Sequence, residues 1–113
     1  MSRQHEVRLW VAQRATAVVL AFCVLVHLVT IVYAVRTGLG AAEILSRTRG
    51  SIAWASFYVI FVMAVAVHGA IGLRTIAAEW LGLRGAALEF AVTVVGLALT
   101  IAGLRAVAAV FGA

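Results

Sequence analysis

Two histidines sit where water is scarce. His68 lies seventeen residues past Ser51 in an uncharged run that opens at Gly50, and His27 lies inside an earlier run, Ala15–Val35. An ionisable ring deep in an apolar helix is costly, so it marks a functional position by default. A neutral imidazole offers one nitrogen lone pair to a metal, while its other nitrogen donates a hydrogen bond. One such ring per helix, with small residues beside His68, points to buried haem iron. The competing reading is packing, in which each ring bonds a carbonyl or hydroxyl of a neighbouring helix.

The elements that position them follow from composition. The 113 residues are 65% hydrophobic, well above the roughly half typical of soluble domains. Ala15–Val35 and Gly50–Leu73 each hold the roughly 20 residues needed to cross the hydrocarbon. A third run, Phe90–Leu104, is extended at both ends around single charges. The pattern predicts an all-α membrane protein, one transmembrane domain over 1–113. Its three spanning helices should cover about 9–35, 51–78 and 86–110; if they hold haem they are half of a bundle, completed by a partner chain that brings the second ligands. Gly38 and Gly40 should end the first helix and Ser51 should cap the second, with a short interfacial turn of helix within 41–49. Glu6 and Arg8 precede an apolar run too long for a signal-peptide core, so the first helix should be retained.

Charge and cysteine usage exclude several classes. Nine Arg, no Lys and four Glu give a net charge of +5. With so little soluble surface, that charge suits lipid phosphate, propionates or an acidic partner, and no nucleic-acid role is expected. Cys23 is the single cysteine, so no internal disulfide forms, and the lack of Cys-x-x-Cys-His makes any haem non-covalent. No carboxylate lies deep in a span and there is no proline, which disfavours a proton-coupled transporter with broken helices.

Helical spacing places His27 on one face with Thr16, Leu20, Cys23 and Thr30, and His68 with Phe61, Ala64, Val65, Gly72 and Thr75. In antiparallel helices His27 would lie roughly 24 Å from one membrane face and His68 roughly 25 Å from the other. Across a core of about 30 Å the rings are then nearly 20 Å apart in depth. They cannot share one iron. Two haems would each need a second ligand from another chain, with the far nitrogen of each imidazole held by a carbonyl or hydroxyl.

The segment His68-Gly69-Ala70-Ile71-Gly72-Leu73-Arg74 resembles the His-x-x-x-Gly-[Ile/Leu]-Arg motif of the cytochrome b membrane anchor of succinate dehydrogenase and fumarate reductase. Trp10-Val11-Ala12-Gln13-Arg14-Ala15-Thr16-Ala17 is similar to that family's Ser-x-x-His-Arg-x-[Ser/Thr]-Gly opening, with Trp10, Gln13 and Ala17 departing from it. The resemblance covers the first two helices. It implies that His68 is an axial ligand of haem b, that Arg74 lies by the propionates and that Arg14 helps form a quinone site, with Trp10 as its aromatic wall. A ligand in the first helix, His27, is what di-haem members show. Arg36, Arg47 and Arg49 would lie on the outer side, within reach of that second haem's propionates. The resemblance further implies a flavoprotein subunit, an iron–sulfur subunit and a second anchor, in the cytoplasmic membrane of a bacterium with the N-terminus inside. A haem-free quinone anchor is the alternative from another class, and a small transporter subunit a third.

Overall fold

Each apolar stretch becomes one long helix in the computed structural model, which describes residues 2–112. The elements are α1 (Arg3–Thr37), α2 (Ala41–Thr48), α3 (Ile52–Leu81) and α4 (Ala86–Gly112), with no strand among the described residues. The three long helices are each apolar and long enough to span a membrane.

Local chemistry sets the boundaries. The Ser2 hydroxyl accepts the His5 N–H at 3.2 Å, and Glu6 in the first turn complements the positive helix end. That cap starts α1 at Arg3 rather than near the expected residue 9, so His5 is helical. Ser51 caps α3 as expected, accepting the Trp54 N–H at 3.2 Å. Gly38 (φ 70°) and Gly82 (φ 67°) end α1 and α3 in the left-handed conformation that glycine adopts without a Cβ penalty. Gly82 carries α3 on to Leu81, beyond the expected residue 78. At 35 residues α1 is roughly 52 Å long, so it overruns a hydrocarbon core of about 30 Å.

α3 is the middle helix, with α1 and α4 packed against it. Small residues let α3 and α4 approach closely, since burial of apolar surface does not drive helix association in lipid. A Cβ built on Gly96 would lie 3.4 Å from the Ala70 Cβ, and one on Gly103 only 2.5 Å from Val62 Cγ1. Ala64, Ala66, Ala77, Leu88 and Val92 are buried. α2 ties the far end together: the Thr48 hydroxyl donates to the Val110 carbonyl at 2.9 Å, and the Gly50 N–H to the Phe111 carbonyl at 2.9 Å. Outside these seams most of the large apolar side chains are exposed, including Val18, Phe22, Leu25 and Val29 on the side of α1 turned away from α3.

Candidate functional site

Both histidines meet a hydroxyl on the opposite helix. His68 Nδ1 lies 3.2 Å from Thr16 Oγ1, and His27 Nδ1 lies 3.2 Å from the Tyr58 hydroxyl. The two pairs define one antiparallel α1/α3 register. Gln13 fits it too, since its amide nitrogen would stand 3.4 Å from a Cβ on Gly72. Eleven residues separate Thr16 from His27 and ten separate Tyr58 from His68. At 1.5 Å per residue the two sites are about 15–17 Å apart along the helices. That is close to the separation expected from sequence depth, and it keeps the two rings from one iron.

The Thr16 contact fixes a tautomer. Its hydroxyl has one proton and aims it at the Ala12 carbonyl, 2.8 Å away, with the Gln13 carbonyl at 3.1 Å. The oxygen is then left to accept, so His68 Nδ1 carries the hydrogen and Nε2 carries the lone pair. Among the described residues, His68 Nε2 has no hydrogen-bond partner. Gly72, one turn along, lacks the Cβ that would crowd the Gln13 amide nitrogen there.

The His27 ring is held differently. Tyr58 and Phe61 meet it edge-on, each at 5.7 Å between centroids. The Thr30 hydroxyl beside it donates to the His27 carbonyl at 2.7 Å. His27, Thr30, Tyr33, Arg47, Trp54 and Tyr58 line a cleft of about 450 Å³ that α2 covers. The Arg47 guanidinium stands 5.6 Å over the Tyr33 ring. Arg47 thus reaches this site, whereas Arg36 and Arg49 do not line it.

A second cleft, of about 440 Å³, lies at the N-terminal end of α1. Trp10, Gln13, Arg14, Gly72 and Arg74 line it together with Glu6. Arg14 sits 5.2 Å over the Trp10 ring, a cation–π contact that orients both side chains. The buried Gln13 Oε1 has no hydrogen-bond partner among the described residues. A buried acceptor without a donor costs about 1–3 kcal/mol, so this cleft suits a group that brings one. Arg74 Nε donates to Glu89 Oε1 at 2.7 Å, pinning the guanidinium between α3 and α4.

The protein-family model for the succinate dehydrogenase/fumarate reductase transmembrane subunit matches residues 1–107. The chain belongs to that family. No curated protein and no solved structure matches it. Membership makes the chain a membrane anchor subunit. The match runs through α3 and most of α4, beyond the two helices whose motifs carry the resemblance.

Of the residues singled out in this anchor subunit's sequence, Trp10, Arg14 and Arg74 share one cleft, His68 lies next to it through Thr16 and Gln13, and His27 lines the other. Four contributors were not legible as site residues: Gln13, Glu6, Tyr58 and Glu89. Tyr58 reads from sequence as an interfacial aromatic. Only the antiparallel pairing of α1 with α3 brings its hydroxyl to His27.

Proposed function

We propose that this chain is the haem b-binding membrane anchor of a succinate:quinone oxidoreductase or fumarate reductase. In this reading it docks the flavoprotein and iron–sulfur subunits on the membrane and passes electrons between the iron–sulfur chain, haem b and quinone. It stands in a bacterial cytoplasmic membrane with its N-terminus inside, beside a second anchor subunit. His68 is an axial ligand of the haem nearer the cytoplasm, and His27 of a second haem nearer the outer face.

The observation that carries the reading is the His68–Thr16 bond. It ties down Nδ1 and leaves the Nε2 lone pair without a partner among the described residues, which is the state a metal-ligating imidazole needs. Among the described residues no three His, Cys, Asp or Glu side chains gather into a metal cluster. Single histidines would suit a metal that arrives with ligands of its own, and His68 and His27 are the residues here that would hold it. When bound, haem b supplies a one-electron carrier whose potential depends on its axial imidazoles and their hydrogen bonds. The chain's own part is to fix the imidazole tautomer through Thr16 and to hold the Arg74 guanidinium, anchored by Glu89, six residues further along α3. At the cleft, Trp10 offers a ring face to a quinone head group, Arg14 a donor to its carbonyl, and Gln13 both a donor and an unfilled acceptor.

The interhelical bonds themselves favour a second reading, a haem-free quinone anchor in which His27 and His68 only pack helices. A reduced-minus-oxidised spectrum with haemochrome quantitation on the purified complex separates the two. Two b haems, with His27→Ala and His68→Ala each losing one, support both ligands. One haem lost only in His68→Ala reduces His27 to packing. A complex without haem that still reduces quinone leaves the second reading.

A further inference from the structure

We propose that Glu6 carries protons between water and the quinone cleft. The inference rests on the placement of quinone beside Trp10 and Arg14. Reduction of a quinone consumes two electrons, supplied by the iron–sulfur subunit, and two protons, which must reach the carbonyl oxygens. Among the described residues that line the cleft, one group is able to release and regain a proton.

The other polar side chains of the cleft do not exchange protons. Trp10 only donates, and its indole N–H is not given up. Gln13 is a neutral amide, standing where the family pattern often has a titratable histidine. Arg14 and Arg74 keep their protons throughout. The Thr75 hydroxyl is directed at the Ile71 carbonyl, 3.1 Å away. Glu6 alone remains, a carboxylate one turn before Trp10 on α1.

Its position supplies the route. Glu6 also lines a neighbouring, more polar cleft of about 510 Å³ together with Arg74, Arg84 and Glu89. Glu6 and Arg74 are the two residues common to both openings. Among the described residues, Glu89 is the carboxylate engaged with Arg74, and Glu6 is in no ion pair. It is exposed, in the first turns of α1, where that helix overruns the hydrocarbon. A carboxyl that touches water on one side and the cleft on the other passes a proton inward to a quinone oxygen and is reprotonated from water. Two such cycles accompany the two electrons and leave Glu6 unchanged. Quinol oxidation runs the same transfers in reverse.

The test uses the assembled complex in membranes, with quinone reduction normalised to succinate-dependent reduction of a soluble dye. Glu6→Gln keeps the size of the side chain and removes the acid. General acid–base groups contribute at least about 10²-fold, so kcat for quinone should fall by about that factor with KM little changed. Glu6→Asp should recover part of the rate, and added formate should partly restore Glu6→Ala, which a structural role would not allow. Glu79→Gln, an exposed carboxylate that lines neither cleft, is the control and should match wild type. If Glu6→Gln retains the wild-type kcat while Trp10→Leu and Arg14→Ala raise KM, the cleft binds quinone and the proton role of Glu6 is overturned. If none of the three variants changes kcat or KM, the quinone placement itself fails and takes the proposal with it.

Discussion

Replacing Thr16 with valine removes a single oxygen and should loosen the haem held through His68. Valine keeps the shape of threonine, so the α1/α3 contact stays filled. What is lost is the acceptor 3.2 Å from His68 Nδ1 and the bond that fixed the tautomer. At 3.2 Å the contact is longer than the usual 2.9–3.0 Å, so the loss should fall near the low end of the roughly 1–3 kcal/mol for an abandoned buried donor. About 1.4 kcal/mol is tenfold in affinity, which coincides with the lower bound of the 10–100-fold seen when a ligand's supporting partner is removed. The variant should therefore need about ten times more free haem for half-saturation when apo-complex is reconstituted. The imidazole becomes a poorer electron donor, so the midpoint potential of that haem should rise. Thr16→Ser keeps the acceptor and should stay near wild type. Equal haem affinity and potential in Thr16→Val and wild type would refute the claim that Thr16 fixes the tautomer of a ligating His68.

Two further outcomes follow from contacts elsewhere. Tyr58→Phe keeps the ring beside His27 and deletes the hydroxyl at 3.2 Å, so in a two-haem complex the potential of one haem should move while the other holds; redox titration followed in the Soret region reads both. Gly103→Ala places a methyl 2.5 Å from Val62 Cγ1 and should cost about 1–3 kcal/mol by overpacking the α3/α4 seam, seen as a lower unfolding temperature in detergent, with Val62→Ala restoring it.

The sequence was enough for the number of spanning helices, because lipid leaves few backbone solutions and a run of about 20 apolar residues is a length constraint. It was enough for the stop at Gly38, since this depends on the backbone preference of one residue, whereas α3 runs three residues past its expected end before Gly82 stops it. It also set the depth separation of His27 and His68, which is a matter of counting along two antiparallel helices. The early start of α1 at Arg3 was less legible, because a serine cap competes with a polar stretch that otherwise reads as tail. What only the tertiary structure decided is which side chains meet. Thr16 and His68 are 52 positions apart, and Arg74 and Glu89 are 15 apart on different helices. These pairings depend on the rotation and register of α1 and α4 against α3. Close packing at small residues such as Gly72, Gly96 and Gly103 sets that geometry, and no spacing within one helix encodes it. The buried, unpartnered oxygen of Gln13 and the position of Glu6 between two clefts belong to the same class: they exist only once the helices are set side by side.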